Sequence, residues 1–486
     1  MKKQARLFAL LLLLLATVLA VSACGESDEG DDLWDSISSA LSSYLYTGTT
    51  APATTAAPPS ATAAPDVTTV PPNNDAPLSN AELEDFLKLV DYEKVSTAQF
   101  YYAMYYIGEF RTVEACSTEI FDTLSAIPGI RTVDNIEDAT ALFIDVYART
   151  IGDHYGYYYA PTDYSDYTDD LEGEYVGIGV SVSVGAAGYA EILNVFPGSP
   201  AEEVGILPGD VIVAVEGEDF ALIGYQNAID RIRGAAGTAV GLTIERDGAR
   251  IGFSVTRRPV TEVTIDSRML DGNIGYIRIV SFNERTYEQF VAAHRTLEAS
   301  GAVAYVFDVR YNPGGTLNSV VAMLEYILPD GPIVHLNYKN DADDATIDSI
   351  YDINRFYMDG VDRVYYEDHA IEKPMVVLAN GNTASAGELF TSSLGDYGVA
   401  TVIGEQTFGK GVGQSSLRLD SDGSALVLTV FSYDPPTSPN YNGVGILPDL
   451  EVSLSEEAAN KNLYKLTYEE DAQLQAAVAA LTSGAR

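Results

Sequence analysis

A buried strand that runs into a glycine-containing turn and then into a helix occurs twice in the second half of the chain. The first copy reads AVAYVFDVR at 302–310, then YNPGG and TLNSVVAMLEYIL. The second reads MVVLA at 375–379, then NGNTASAGE, with a helix expected to open near Ala386. This repetition predicts parallel strands joined by crossover helices. Since sites in such sheets form beyond the carboxyl ends of strands, turns 312–315 and 383–387 are expected to meet at one rim.

Ser385 lies at the second of these strand-to-helix junctions. A serine there directs its hydroxyl outward, beside backbone N–H groups that carry partial positive charge, which suits a nucleophile. A serine at the same place is also an ordinary helix cap. Its position alone leaves both interpretations open.

A nucleophilic serine needs a base within hydrogen-bond reach. Lys410, in the run TFGKG, is a candidate, but a lysine accepts a proton only if burial lowers its pKa. Gln414 follows four residues later, a spacing that predicts one shared face. A solvated surface lysine is the alternative for Lys410 alone. The sequence has no GxSxG pattern, and no suitable motif surrounds any of its four histidines, His154, His294, His335 and His369.

The first 24 residues have the pattern of a targeting signal. Basic residues precede an apolar run of about 14 residues, shorter than the roughly 20 that span a bilayer. The run is followed by VSAC, which resembles the bacterial lipobox and implies that Cys24 carries lipid. The alternative is a plain signal peptide with a fortuitous cysteine.

The composition excludes several classes of partner and site. The chain has 28 basic and 70 acidic residues, a net charge of −42, which argues against binding to nucleic acid or anionic lipid headgroups. Residues 25–77, rich in Ser, Thr, Ala, Pro and acids, are predicted to form a disordered stalk. With Cys24 lipidated, Cys116 has no partner for a disulfide. No Cys/His cluster has zinc spacing, and no metal or cofactor is predicted.

Two further regions precede the repeated motif. Residues 78–173 have helical periodicity, and Ser79 followed by Glu82 predicts a capping box. The clustered tyrosines of this region are typical of packing residues, with a binding face as the alternative. Residues 174–258 consist of short β runs separated by glycine turns and resemble a PDZ domain of the bacterial protease type.

The PDZ resemblance implies a peptide-binding site. Backbone N–H groups of Gly177, Ile178, Gly179 and Val180 would face the terminal carboxylate of a peptide, and the next strand would offer an open edge for β-augmentation. Ile178 and Val180 would line a pocket for an apolar last side chain. A small β domain that acts only as a spacer is the alternative.

Four motifs in order, FDVRYNPGG, NTASAGE, GEQTFGKGVGQ and NGVGILPDLEV, resemble the carboxyl-terminal processing proteases, tail-specific Ser/Lys peptidases. The resemblance covers about residues 78–455. It implies a multidomain α+β protein with a helical N-terminal region, a PDZ-like β domain and an α/β (crotonase-like ββα) serine peptidase core. It also implies site roles: nucleophile Ser385, general base Lys410, orienting residue Gln414, and oxyanion donors Ala386 and either Gly314 or Gly315. Structural roles are expected for Asp308, Arg310 and Glu388.

The sequence therefore predicts six segments: signal peptide 1–24, stalk 25–77, helical region 78–173, PDZ domain 174–258, peptidase core 259–455 and helical tail 456–486. The predicted protein is an extracytoplasmic endopeptidase, anchored to the cell membrane by lipid on Cys24, that binds proteins with apolar C-termini and cleaves near them. Oligomers are compatible with this hypothesis. The alternative is a PDZ-bearing scaffold with a core that does not turn over, although a scaffold has no need of a glycine-flanked lysine after the serine.

Overall fold

The computed structural model describes residues 77–184, 188–329, 331–339, 345–348, 371–459, 461 and 463–483. These residues form two compact units. The first contains 77–161 together with Gln414–Thr429, and the second contains 162–413 and the chain from Val430 onward. The predicted signal peptide, its Cys24 and nearly all of the predicted stalk lie outside the described residues.

The order of elements changes along the chain: helices come first, strands dominate next, and strands then alternate with helices. The helices are α1 Asn80–Leu87, α2 Tyr92–Tyr105, α3 Ser117–Ala126, α4 Ile136–Thr150, α5 Pro161–Glu172, α6 Pro200–Val204, α7 Phe220–Ile223, α8 Tyr225–Ile232, α9 Thr286–Ala299, α10 Leu317–Ile327, α11 Ala386–Asp396, α12 Glu456–Ala459 and α13 Ala472–Thr482. The strands are β1 Tyr157–Tyr159, β2 Glu174–Gly177, β3 Val180–Val184, β4 Ala190–Val195, β5 Val211–Val215, β6 Glu218–Asp219, β7 Ala239–Arg246, β8 Ala249–Thr256, β9 Arg258–Thr261, β10 Ile265–Leu270, β11 Ile274–Ile279, β12 Ala304–Asp308, β13 Pro332–Tyr338, β14 Ala345–Asp348, β15 Met375–Ala379, β16 Ala400–Gly404, β17 Val412–Arg418, β18 Ala425–Asp434 and β19 Leu450–Glu451.

Helices α1 to α4 dominate the first unit, as the helical periodicity predicted. The predicted capping box is present, because the Ser79 N–H donates to the Glu82 carboxylate at 2.7 Å and the Glu82 N–H donates to the Ser79 hydroxyl at 3.4 Å. Buried tyrosines pack edge-to-face in this unit, with ring centroids of Tyr102 and Tyr147 5.6 Å apart. The sequence did not predict strand β1, which pairs antiparallel with the start of β18 and places Tyr158 opposite Leu426.

The PDZ-like part of the second unit is built around one antiparallel sheet. Its strand order is β3-β4-β5-β7-β8, with β6 added to β5, so β3 lies at an edge. Strands β2 and β9, which enter and leave this part, pair with each other, and the predicted boundary at Arg258 falls at the first residue of β9. Small and branched side chains fill the core beneath helices α6 and α8.

The peptidase part of the second unit contains the predicted parallel sheet. Its order is β10-β11-β12-β15-β16-β19; β10 is antiparallel to β11, and the other neighbours are parallel. Every residue of β11, β12 and β15 is buried, as expected for strands covered on both faces. Leu474 and Ala477 of the C-terminal helix α13 pack against this sheet. The same unit also contains β13, which pairs antiparallel with β14 and with the end of β18.

No helix within the described ranges is long and apolar enough to cross a membrane.

Candidate active site

The turn that carries Ser385 has a strained backbone. Ser385 has φ 54° and ψ −120°, a conformation that a residue with a side chain rarely adopts and that costs of order 1–3 kcal/mol. The Glu388 N–H donates to the Ser385 main-chain oxygen at 2.9 Å, and the Glu388 carboxylate accepts from the Ser385 N–H, as in a capping box. The helix start is thus capped at this turn, and the strained backbone of Ser385 is the feature that an ordinary cap does not need.

Glu388 joins the serine turn to the segment that carries Lys410. One carboxylate oxygen accepts from the N–H groups of Ser385 at 3.0 Å and Lys410 at 2.7 Å. The other accepts from the Gly409 N–H at 2.6 Å and the Thr407 hydroxyl at 2.5 Å. The side chain is fully buried, and burial raises the pKa of Glu388, while these four donors oppose that increase. The carboxylate thereby fixes the main chain of the predicted nucleophile relative to that of the predicted base.

The glycine turn after β12 lies directly against Ser385, as the sequence predicted. The Ala384 N–H donates to the main-chain oxygen of Asn312 at 2.9 Å. Gly314 has φ 107°, and a Cβ on this residue would lie 2.7 Å from the Ser385 Cβ and 3.0 Å from the Ala386 nitrogen. Glycine is thus required here both by the backbone conformation and by the space beside the Ala386 N–H.

A tyrosine that the sequence analysis did not identify lies beside the serine. The Tyr433 hydroxyl is 3.4 Å from Ser385 Oγ and donates to the main-chain oxygen of Lys410 at 2.6 Å. Since a phenol has a single proton, the short bond to the Lys410 oxygen is the stronger of these two contacts, and the contact with Ser385 Oγ is weak at 3.4 Å.

Lys410 is half-buried and precedes strand β17. Lys410 and Gln414 do not lie in one regular element, as a shared face would require, because only Gln414 lies in β17. Its amide nitrogen donates to the Thr429 hydroxyl at 3.2 Å. The orienting role of Gln414 stays a prediction.

Behind the glycine turn, a buried ionic cluster attaches the C-terminal segment to the sheet. The Arg310 guanidinium donates to Asp308 at 2.6 Å, to Asp471 at 2.8 Å and to Gln473 at 2.9 Å. Burial alone would raise the pKa of Asp308, but the charge of Arg310 and its hydrogen bonds hold this pKa below its ordinary value. The structural roles expected for Asp308 and Arg310 agree with these contacts, which include residues 161 and 163 positions away.

The PDZ-like loop has the turn that its sequence predicts. Gly179 has φ 78°, and a Cβ here would lie 2.3 Å from the Ser199 Cβ. Gly177 ends β2 and Val180 begins the edge strand β3. The structure places Ile178 in the core, 1% exposed, whereas Val180 is half-buried and packs against that core. The two side chains predicted to line a pocket therefore differ in accessibility.

Two contributions to this site are not evident from the sequence. Glu388 is expected at the helix start, but its contacts with the amides of residues 409 and 410 join positions more than 20 apart. Tyr433 stands in a strand and has no recognisable catalytic spacing. The only available signal was a tyrosine shortly before the Asp-Pro-Pro run that follows a buried strand.

Comparison with known proteins supports the predicted family and domains. Peptidase family S41 matches residues 273–452, and a PDZ domain model matches residues 191–246, beginning after the loop at 177–180. The chain is similar to the carboxyl-terminal-processing protease of Synechocystis sp., with 32% identity over 331 residues, 67% of this chain and 72% of that protein. It is 33% identical to the protein of the same description from Picosynechococcus sp. over 356 residues, 71% of this chain and 78% of that protein.

A solved structure supports the fold assignment. The putative S41 protease from Bacteroides fragilis has 16% sequence identity and a TM-score of 0.51, over 80% of this chain and 97% of that chain. The predicted fold class agrees with the helical, PDZ-like and α/β parts of the structure. It also agrees with the peptidase and PDZ matches and with the two relatives from Synechocystis sp. and Picosynechococcus sp.. The chain belongs to the carboxyl-terminal processing proteases of peptidase family S41, and it is a serine-type peptidase with a PDZ domain.

Proposed function

We propose that the protein cleaves polypeptides by a Ser/Lys mechanism in which Ser385 is the nucleophile, Lys410 the general base and Gln414 the residue that orients the lysine amine. The observation that carries this proposal is the strained Ser385 turn, which Glu388 ties through hydrogen bonds to the main chain of Lys410. Backbone strain of this kind is found where a site needs one defined orientation.

The reaction proceeds in two steps. Ser385 Oγ bonds to the scissile carbonyl carbon while its proton passes to the neutral Lys410 amine. The tetrahedral intermediate collapses to an acyl-enzyme as the C–N bond breaks, and the lysine returns the proton to the departing amine. Water, deprotonated by Lys410, then attacks the ester and releases the acid and Ser385. In each step Lys410 takes up one proton and gives one back, the second time to Ser385, so a single base serves both steps.

The oxyanion of each intermediate is stabilised by the N–H of Ala386 and one from the glycine turn. The Gly314 N–H already donates to the Asn312 side chain at 2.8 Å. Gly315 forms a parallel bridge with Phe282. The Phe282 N–H donates to the Gly314 oxygen at 2.9 Å, and the Phe282 oxygen accepts from the Thr316 N–H at 2.6 Å. That pattern directs the Gly315 N–H away from Phe282, which favours Gly315 as the second donor.

The PDZ domain selects substrates by their C-termini. The edge position of β3 supports addition of a peptide strand, and the loop at 177–180 supplies donors for its terminal carboxylate. Partly buried apolar side chains of β3 and α8, Val180, Val182, Tyr225 and Ile229, favour an apolar last residue. A labelled peptide ending in Val should bind, whereas the same peptide with an amidated end or a final Asp should bind at least about tenfold more weakly. Equal binding of all three would refute C-terminal selection.

The N-terminal pattern supports an extracytoplasmic protein held at the cell membrane by lipid on Cys24. Residues 25–77 then act as a stalk between the anchor and the enzyme. Cys24→Ser should move the protein from the membrane fraction to the soluble fraction, and retention at the membrane would contradict the lipid anchor. Deletion of residues 25–76 should leave cleavage by the purified enzyme intact; loss of cleavage would show that the segment is more than a tether.

The Ser/Lys mechanism is tested by replacing the base. Lys410→Ala should abolish cleavage of an unfolded reporter polypeptide ending in three apolar residues, while binding of the Val-ended peptide survives. Lys373→Ala is the matched control, because Lys373 is a partly buried lysine that pairs with Glu298. Cleavage by Lys410→Ala at the wild-type rate would exclude Lys410 as the base. Full-length protein that binds peptides but never cleaves would instead support the scaffold alternative.

A further inference from the structure

A buried carboxylate of the first unit, that of Asp153, lies two hydrogen bonds from Gln414. Asp153 is 1% exposed and follows helix α4. One of its oxygens accepts from the Thr429 hydroxyl at 2.7 Å, and the other accepts from the Thr429 N–H at 3.0 Å. The Gln414 amide nitrogen in turn donates to the same Thr429 hydroxyl at 3.2 Å. All three residues belong to one compact unit.

The direction of these hydrogen bonds follows from proton counting. An ionised carboxylate only accepts, so the single proton of the Thr429 hydroxyl is committed to Asp153. The hydroxyl can then only accept from Gln414. The two ends of a glutamine amide are nearly alike in shape, and the hydrogen-bond network decides which end faces a given neighbour. Asp153 therefore sets the NH₂ end of Gln414 toward Thr429.

This direction matters for the chemistry. A side chain that orients a lysine amine must accept a hydrogen bond from it, and the amide oxygen is the only acceptor of a glutamine side chain. With its nitrogen bonded to Thr429, Gln414 retains its amide oxygen as the acceptor that the proposed mechanism requires. Burial raises the pKa of Asp153, and the donors from Thr429 and Tyr155 reduce this increase. Both carboxylate oxygens accept hydrogen bonds, from the Thr429 hydroxyl and the Tyr155 N–H on one and from the Thr429 N–H on the other, which is the geometry of the acceptor-only form.

We propose that Asp153 is a positioning residue for the reaction, which acts through Thr429 to fix the orientation of the Gln414 amide. The predicted helical region 78–173 thereby gains a specific role, because its Asp153 aligns Gln414, which lies 261 positions further along the chain. The inference rests on the proposed role of Gln414 in orienting Lys410.

The test is a double-mutant cycle on the full chain, with single-turnover cleavage of the unfolded reporter polypeptide measured at pH 8. Asp153→Asn keeps the size of the side chain but allows it to donate to the Thr429 hydroxyl, which reverses the direction of the hydrogen bonds. Asp153→Asn and Thr429→Val should each slow cleavage by about tenfold, whereas Thr429→Ser should stay within about twofold of wild type. In the Gln414→Ala background, Asp153→Asn should change the rate by less than about twofold.

Thr140→Val is the control for loss of a buried threonine hydroxyl in the same unit. Thr140 is 1% exposed, and its hydroxyl donates to the Ile136 oxygen at 2.6 Å. This variant should cleave at the wild-type rate, and equal slowing by it would assign the effects to general destabilisation and overturn the proposal. A full effect of Asp153→Asn in the Gln414→Ala background would also overturn it, since Asp153 would then act independently of Gln414.

The cycle separates failure of this inference from failure of the proposed mechanism. If Gln414→Ala is slow while Asp153→Asn and Thr429→Val cleave normally, the mechanism stands and the positioning role is wrong. If Gln414→Ala itself cleaves at the wild-type rate, the orienting role of Gln414 is wrong and the positioning role falls with it.

Discussion

The two crossover helices that follow the glycine-containing turns both begin after a hydroxyl residue, but the two residues differ in backbone conformation. Thr316, before α10, has an extended backbone with φ −75° and ψ 136°, and its hydroxyl accepts from the Ser319 N–H at 3.3 Å. Ser385, before α11, has φ 54°, and the Glu388 carboxylate accepts from its N–H. Thr316 is a helix cap. At Ser385 the backbone is strained, and the neighbouring carboxylate and main chain contact the helix start, an arrangement that agrees with the proposed nucleophile.

The largest expected effect separates these two positions. Ser385→Ala should reduce cleavage of the reporter polypeptide to background, because the attacking atom is lost. Ser385→Gly should be equally inactive but more stable to urea than Ser385→Ala by about 1 kcal/mol, since glycine adopts a positive φ without strain. Equal stability of the two variants would show that the Ser385 backbone is not strained.

Gly314→Ala should have the next largest effect. The new Cβ would crowd the Ser385 Cβ and the Ala386 nitrogen, where the oxyanion is expected, so we expect kcat to fall by about 10²–10³-fold. Gly301→Ala is the matched control, since Gly301 has φ 86° but nothing within 4 Å of a new Cβ. It should lose stability and keep its activity. A Gly314→Ala enzyme with normal kcat would contradict the placement of the oxyanion site.

Glu388→Gln should reduce kcat by up to about a hundredfold, because small displacements of the nucleophile relative to the base are costly. Folding should also respond to pH. Burial raises the pKa of Glu388 in the folded state, so its ionisation opposes folding as pH rises from the ordinary range of a glutamate through the raised value. The amide of the variant does not ionise, so the variant lacks this response.

Urea titrations at several pH values should therefore show that the unfolding free energy of the wild type falls relative to that of Glu388→Gln as pH rises through that window. A wild type that gains stability relative to the variant as pH rises would show that the folded pKa is lowered instead.

The smallest effect is expected at the cap. Thr316→Ala should cost about 1 kcal/mol of stability in urea unfolding and leave kcat unchanged. A loss of kcat comparable with that of Ser385→Ala would contradict the distinction between the two helix starts.

The sequence was informative where the pattern is local. Hydrophobic runs and glycine turns predicted β12, β15 and the helices that follow them, and the capping box at Ser79 was confirmed. Local patterns could not distinguish a cap from a nucleophile at Ser385, because that distinction depends on a φ angle stabilised by distant contacts. The family motifs predict the nucleophile, and the strained backbone at Ser385 agrees with that prediction without testing it.

The contacts that sequence reasoning missed join residues far apart in the chain. Asp153 and Thr429 are separated by 276 positions, and Arg310 and Asp471 by 161. Neither pair has a spacing that predicts contact. Strand β1 was missed for a related reason, since three tyrosines between two helices resemble a loop until β18 pairs with them.

The most direct test of the central claim is covalent trapping of the nucleophile. Wild-type protein and Lys410→Ala are incubated with a fluorophosphonate, and the adduct is quantified by intact mass and located by peptide mapping. The account predicts one adduct on Ser385 in the wild type and at least about a hundredfold slower labelling in Lys410→Ala, the effect of losing a general base. Labelling of Ser385 at the same rate in both proteins, or an adduct on another residue, would contradict the Ser385 and Lys410 assignment.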